Sequence, residues 1–281
     1  MRAEQQLRIA VLIDAENVSN KYIKLIMDEI SDYGIATYKR LYGDFTIPSA
    51  QAWLEITKEY AITPVFQSNY THGKNASDFA LTIDAMDILY SDKVEGFCIV
   101  TSDSDFTKLA IRLREAGMAV IGMGEQKTPN SLVSACETFK FLDLLYKENE
   151  PAKEEKKSPI KKKNNNNQTI EVIPNTIPSR EQIEEEIMSI IKLKNEEWVN
   201  LAEVGTNLPK RVPGFDPRNY GCTKLKELVE GFNSFTLRVE SNPNSKILKI
   251  VYVSIKKLII SHANHQYSVV GFISKKGEKL T

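Results

Sequence analysis

Four aspartates lie where the sequence predicts strands to end or helices to begin. Asp14 follows the apolar run "IAVLI", and Asp103 and Asp105 follow "GFCIV". Asp78 opens the helical pattern that comes after "ITPVFQS" and the intervening "NYTHGKNAS". Because the loops at the carboxyl ends of the strands in an open parallel sheet meet at one edge, we expect these carboxylates to converge there.

Carboxylates gathered at one edge repel each other and raise each other's pKa, so they require a cation. Mg²⁺ or Mn²⁺ is the expected cofactor, because these ions prefer carboxylate and water oxygens and the sequence has no cluster of His and Cys that would favour zinc. Such ions deprotonate water and neutralise charge on a phosphoryl group, singly or as a pair. The pattern therefore predicts hydrolysis of a phosphodiester.

A structural interpretation also exists for each of these side chains taken alone. Asp103 and Asp78 would cap the helices that follow them, and Asp14 would open a turn. Asn17 would either cap a helix or orient a ligand or metal-bound water, and Lys74 in "HGKN" would either contact a phosphate or be solvated. The joint placement of the aspartates on one predicted edge favours a site.

The elements that must position these side chains alternate between strand and helix periods over residues 1–146. Fully apolar strands such as "IAVLI" are each followed by a segment with helical spacing, and the last of these is "TPNSLVSAC". This alternation predicts an α/β domain in which a parallel sheet is sandwiched by helices.

A charged, Asn-rich segment, residues 147–177, follows this domain and is predicted to be a flexible linker. Residues 178–254 then show three helical patterns and a hairpin turning at "NPNS", which predict a small winged-helix domain. The second of these helices is expected to end at Pro209. The basic tail, residues 255–281, has no predicted role.

The 281-residue chain has 37 basic and 37 acidic residues, but the charges are unevenly distributed. Residues 1–146 carry 14 Lys and Arg against 20 Asp and Glu, so a polyanionic partner is expected to bind local basic patches. Three scattered cysteines, the lack of a bilayer-length apolar run and the lack of a secretory signal indicate a cytoplasmic protein with no membrane partner.

A local basic patch occurs in the second domain, before and at the start of its third helix. It consists of Lys210, Arg211, Arg218, Tyr220, Lys224 and Lys226. In winged-helix modules this region usually meets nucleic acid, and a tyrosine can stack on a base. A solvated helix face with a buried tyrosine explains the same composition equally well.

Three motifs of the first domain, "LIDAENV", "GKNASDFALTIDAMDILY" and "VTSDSDFTKLAIRLREAG", resemble an NYN domain of the LabA-like group within the PIN-like nuclease superfamily. The resemblance covers nearly all of residues 7–145. It implies a PIN-like α/β sandwich and a metal-dependent ribonuclease. By the same resemblance, Asn17 would orient a ligand or metal-bound water, and the metal would be held by Asp14, Asp78, Asp103 and Asp105.

Residues 179–254 resemble an OST-HTH/LOTUS domain, chiefly through "FDPRNYGCTKLKELVEGF" and the hairpin that follows. This resemblance implies RNA as a partner. Relatives in other organisms use the same fold to bind a helicase, so a protein is the second kind of partner that we expect.

The predicted function is a metal-dependent endoribonuclease with a tethered RNA-binding winged helix. One alternative is a non-catalytic RNA-binding regulator that keeps the acidic edge for Mg²⁺ alone or for structure. Another is a different Mg²⁺ phosphoryl enzyme, such as one with a Toprim domain. Toprim chemistry expects a glutamate directly after an earlier strand, where this chain has Asp14.

Overall fold

The computed structural model describes residues 6–67, 76–149, 177–241 and 249–256. Within them, the first domain is an α/β sandwich around a six-stranded, wholly parallel sheet with the order β3-β2-β1-β4-β5-β6. The strands are β1 (Leu7–Asp14), β2 (Gly34–Gly43), β3 (Thr63–Phe66), β4 (Gly96–Val100), β5 (Ala119–Gly124) and β6 (Thr138–Phe141). The helices are α1 (Ile23–Ser31), α2 (Pro48–Thr57), α3 (Ala76–Tyr90), α4 (Thr107–Glu115), α5 (Asn130–Ala135) and α6 (Leu142–Asn149). This architecture confirms the predicted fold class.

The central strands form because both of their faces are buried. In β1, the run from Ile9 to Ile13 is fully buried, with Ile9, Val11 and Ile13 packed on one face and Ala10 and Leu12 on the other. Helices α1, α2 and α6 cover the first face, and α3, α4 and α5 cover the second. The continuous apolar runs in the sequence therefore reflect two hydrophobic cores rather than one.

The sixth strand and the last helix of this domain were not predicted. Strand β6 has only four residues, and Thr138 and Lys140 are partly exposed, so its sequence lacks a continuous apolar run. Helix α6 continues to Asn149, beyond the residue at which the sequence analysis ends the first domain.

The second domain consists of three helices and a small antiparallel sheet with the strand order β7-β9-β8. Its elements are α7 (Arg180–Lys194), β7 (Val199–Asn200), α8 (Leu201–Arg211), α9 (Leu225–Glu230), β8 (Phe235–Ser241) and β9 (Lys249–Ile255). A 3₁₀ turn at Pro217–Tyr220 lies between α8 and α9. The winged-helix prediction is confirmed.

The sequence fixes the start of this domain through the cap of α7. The Ser179 hydroxyl accepts from the Gln182 N–H at 3.3 Å, and the Gln182 side chain accepts from the Ser179 N–H at 2.8 Å. This reciprocal capping box satisfies two N–H groups that the helix cannot. The apolar stripe of α7 then packs into the domain core through Ile183, Ile187, Ile190 and Ile191.

The predicted end of the second helix at Pro209 is wrong, because α8 continues through Pro209 to Arg211. A proline removes only one helical hydrogen bond, and the carbonyl left without its N–H donor belongs to Gly205, which is partly exposed.

Several predicted segments lie outside the described residues. They are most of the linker, the "NPNS" turn of the hairpin and the tail beyond residue 256. In the described part of the chain, no helix combines the length and apolarity needed to cross a bilayer.

Candidate active site

Asp14, the last residue of β1, is buried and surrounded by hydrogen-bond donors. Its Oδ1 accepts from the backbone N–H groups of Glu16 and Asn17 at 3.0 and 3.2 Å. Its Oδ2 accepts from Asn17 Nδ2 and Thr101 Oγ1, both at 2.8 Å. Burial raises the pKa of Asp14, and these hydrogen bonds oppose the rise. The donors hold the carboxylate in one orientation at the sheet edge.

The Asn17 side chain donates a hydrogen bond to Asp14 and does not cap the following helix. The chain enters α1 through a 3₁₀ turn at Asn20–Tyr22, and Ser19 occupies the capping position of that turn. Of the two alternatives left open by the sequence, the helix cap is not found, and the Asn17 amide instead orients the carboxylate beside it. The role toward a ligand or metal-bound water stays a prediction.

Thr101 joins the loop after β4 to Asp14. Its hydroxyl is fully buried, donates to Asp14 and accepts from the Asp103 N–H at 3.1 Å. Asp103 Oδ1 in turn accepts from the Asp105 N–H at 2.9 Å and caps the 3₁₀ turn Ser104–Phe106. Asp103 thus has the structural role of a cap while it also lies at the sheet edge.

Asp78, in the first turn of α3, shows how closely the carboxylates gather. Burial, followed by the negative charges of Asp14, Asp103, Glu16 and Asp105, raises the pKa of Asp78 to about 6. Asp14 and Asp103 are also linked by direct contacts, since the Thr101 hydroxyl donates to the Asp14 carboxylate and accepts from the Asp103 N–H. The structure brings the predicted aspartates from three crossovers to one edge.

Further acidic residues at the carboxyl ends of the strands were missed by the sequence analysis. The negative charge of Glu16 helps to raise the pKa of Asp78, and the Glu16 side chain accepts a hydrogen bond from the Asp44 N–H at 3.0 Å. Asp44 is buried and directly follows β2, and Glu125 directly follows β5. The signal for these two was present in the sequence, since each comes immediately after a segment with a strand pattern.

The residues that the structure describes contain no preassembled group of three or more His, Cys, Asp or Glu that could hold a metal. The chemistry of the donor set nevertheless fits a hard divalent cation, because the acidic edge offers carboxylate oxygens supported by an amide and a hydroxyl. Mg²⁺ usually keeps several waters and takes only one or two carboxylates directly, so it does not require a closed protein cage.

The residues predicted to bind RNA fall into two groups. Lys210, near the end of α8, and Lys224, just before α9, are exposed. Arg211 and Lys226 make ion pairs on the surface of the same domain, at 3.3 and 3.4 Å. These four residues lie at the end of α8 and around the start of α9.

Arg218 and Tyr220 face the protein interior instead. The Arg218 guanidinium binds both carboxylate oxygens of Glu29 in α1, at 2.6 and 2.9 Å, and also binds Asp216. The Tyr220 hydroxyl donates to the Pro178 carbonyl at 2.8 Å, and its ring is partly buried. The structure therefore does not place these two with the exposed cations, and the alternative of an inward-facing tyrosine describes Tyr220. Lys74 lies outside the described residues.

Comparisons with known proteins were made on the whole chain. A family model of the NYN domain matches residues 8–144, and one of the OST-HTH/LOTUS domain matches residues 179–248. No curated protein matches the chain. The chain is similar to the crystal structure of a protein of unknown function from Vibrio parahaemolyticus, with 17% identity, a TM-score of 0.42, and coverage of 50% of this chain and 96% of that one.

Proposed function

Because this chain joins an NYN domain of the PIN-like nuclease superfamily to an OST-HTH/LOTUS domain, we propose that it is a metal-dependent endoribonuclease with an RNA-binding winged helix. The observation that carries this proposal is the acidic edge itself, where Asp14 ends β1, Asp103 follows the adjacent strand β4, and the two are linked through the Thr101 hydroxyl. The charges of these acids also help to raise the pKa of Asp78 to about 6. Ionisable groups kept together against their own repulsion are typical of functional sites.

In this proposal the aspartates of the acidic edge hold the cation: Asp14, Asp78, Asp103 and Asp105. A bound Mg²⁺ or Mn²⁺ would supply a reactive water and neutralise charge on the phosphoryl group. Asn17 and Thr101 fix the direction of the Asp14 carboxylate. Asp103 is fixed by its own cap contact, so these two acids are oriented before any substrate arrives.

The RNA backbone needs cations, and in the first domain acids outnumber bases by 20 to 14. We assign that role to the exposed Lys210 and Lys224 and to Arg211 and Lys226, whose surface ion pairs are weak enough to be exchanged for phosphate contacts. Lys74 is proposed as a further phosphate contact at the acidic edge.

The helix that carries Asp78 also carries an exposed aromatic ring. Phe79 directly follows Asp78 in α3, and 70% of its surface is exposed. Exposed rings next to a phosphodiester site stack on bases without regard to sequence. Phe79 therefore favours a substrate with unpaired bases near the cut.

The test is RNA cleavage in Mn²⁺ and in Mg²⁺ with labelled single-stranded and structured RNAs. We expect the wild type to cut and Asp103→Asn to fail, since Asn keeps the cap oxygen but removes the charge. Asp87→Asn is the matched control, because Asp87 is an exposed acid on the same domain. If wild type and Asp103→Asn are equally inert across the RNAs, the nuclease proposal is wrong.

A non-catalytic RNA-binding regulator is the second candidate. It is favoured by the structural hydrogen bonds that already occupy Asp14 and Asp103, and by the lack of a preassembled metal group in the described residues. RNA binding without cleavage in the same assay, unchanged in Asp103→Asn, would select this candidate.

The location and a protein partner are further proposals. Cys98, Cys136 and Cys222 are free thiols, which fits a reducing compartment, and we propose the cytoplasm. We also propose a second kind of partner, a protein that binds the OST-HTH domain.

A further inference from the structure

We infer that residues 212–220 of the OST-HTH domain, "VPGFDPRNY", are a docking segment for the NYN domain of the same chain. We further infer that this contact, and not the linker, sets the position of one domain on the other. The consequence for RNA cleavage rests on the proposed function, whereas the docking itself does not.

Four charged side chains from the two domains meet at the contact. Glu29 and Asp216, one from each domain, are each 5% exposed. Arg218 binds Glu29 with two hydrogen bonds, and Lys140 of β6 donates to Asp216 at 2.6 Å while lying 3.5 Å from Glu29. Each carboxylate is therefore paired with a cation of the opposite domain.

The charges balance within this network. Burial would raise the pKa of Asp216, but hydrogen bonds from Arg218 and the charge of Lys140 lower it to about 2. Burial would likewise lower the pKa of Lys140, but the charge of Asp216 raises it. Each domain brings one acid and one base, so docking joins two pairs into a neutral group of four. Buried ion pairs contribute little net stability, but any other placement of one domain on the other would leave buried charges unpaired at a high cost in free energy.

Uncharged contacts complete the docking. Strand β6 is the edge of the sheet, and the N–H of Phe139 donates to the Pro213 carbonyl at 2.6 Å. A Cβ at Gly214 would lie 3.2 Å from the Phe141 ring and 3.4 Å from Val133, both in the NYN domain. A side chain at this position would therefore have to push these neighbours in the other domain by a few tenths of an ångström.

The docking segment lies between two exposed lysines of the winged helix. Lys210 precedes it in α8 and Lys224 follows it before α9. A fixed docking segment therefore fixes the RNA-contacting face relative to the acidic edge. Under the proposed function, RNA held by this face is cut at a set distance from the point where it is held.

The first test uses the full chain with a protease site inserted in the linker between residues 160 and 170. After cleavage, we expect the two halves to co-elute in size-exclusion chromatography. Gly214→Val should separate them, because the added methyl groups meet atoms of the NYN domain. Separation of the cleaved wild-type chain, or co-elution of Gly214→Val at the wild-type position, overturns the inference.

Charge variants test the ionic register independently of the glycine. Arg218→Glu and Glu29→Arg should each separate the cleaved halves, and the double variant should restore co-elution because the group of four is neutral again. Arg211→Glu is the matched control, since Arg211 pairs with a glutamate of its own domain. If the double variant separates as the single variants do while circular dichroism shows all of them folded, the ionic register is wrong.

The second test concerns the cutting distance. A Gly/Ser insertion in the linker should leave the positions of the cuts on an end-labelled RNA unchanged, whereas Gly214→Val should scatter them. Cuts that move with linker length would overturn the fixed distance even if the cleaved halves co-elute. A protein that cuts no RNA at all refutes the proposed function, while the co-elution tests still decide the docking.

Discussion

Thr101→Val removes the hydroxyl that joins Asp14 to Asp103 and leaves the shape of the side chain nearly unchanged. Thr101 is fully buried, so no water replaces the lost contacts without rearrangement. The Asp14 carboxylate loses a donor at 2.8 Å, and the Asp103 N–H loses an acceptor at 3.1 Å. A hydrogen bond to a charged group contributes about 1.5–3 kcal/mol and a neutral one about 1 kcal/mol, so we expect a loss of about 2–4 kcal/mol.

The assay is thermal unfolding of the full chain followed by circular dichroism. For a domain of this size, the expected loss corresponds to a fall in Tm of about 6–15 °C. Thr37→Val is the matched control, because Thr37 is exposed on β2 and its hydroxyl makes only a long contact of 3.4 Å with Ile9 O. If the two variants melt at the same temperature, the Thr101 hydroxyl does not hold Asp14 and the argument for an oriented carboxylate is refuted.

Three other outcomes are expected. Asp78→Asn should abolish cleavage yet raise the free energy of unfolding by about 1 kcal/mol at pH 7 after allowance for solvent screening, because it removes a carboxylate whose pKa is raised by burial and by its neighbours. Asp87→Asn should change neither cleavage nor stability. Thermal unfolding and the cleavage assay measure both effects. The domains of the linker-cleaved chain should begin to separate as pH falls from about 4 to about 2. The pKa of Asp216 is held at about 2, so its contribution is complete above the ordinary value of 3.8 and is lost as pH falls toward 2; Asp216→Asn should lose that pH dependence in size-exclusion chromatography. Phe79→Ala should weaken binding of single-stranded RNA by about 1–3 kcal/mol without lowering Tm, as fluorescence anisotropy and melting would show; unchanged affinity would exclude stacking at this ring.

The sheet and the acidic edge could be predicted because their signals are local. Each central strand is a run such as "IAVLI" that is buried on both faces, and each predicted aspartate stands within a few residues of the strand or helix end that places it. Strand β6 gave no such signal, because only Phe139 and Phe141 point into the core. The hydroxyl of Thr101 was also missed, since the end of an apolar strand does not reveal which side chain of another loop it will meet.

Arg218 shows where reasoning from local composition fails. It stands in a basic stretch of a nucleic-acid-binding fold, and its charge alone suggests a phosphate contact. Its partner Glu29 is 189 residues away in the sequence, in a helix of the other domain. Only the packing of the domains shows that this charge is already neutralised.

The docking also changes how the acidic first domain meets RNA. A flexible tether would raise the effective concentration of the winged helix but would leave its orientation free. Docking also fixes the orientation of the winged helix relative to the first domain. The four charged side chains at the docking contact sum to zero, so they add no net charge that would attract the phosphates. Under the proposed function, attraction of RNA then depends on cations that remain exposed, among them Lys210 and Lys224. The choice of the bond to be cut depends on the rigid path from those lysines to Asp78. Under the proposed function, a single lysine variant leaves the docking segment and the other cations in place, so it should weaken binding without moving the cut.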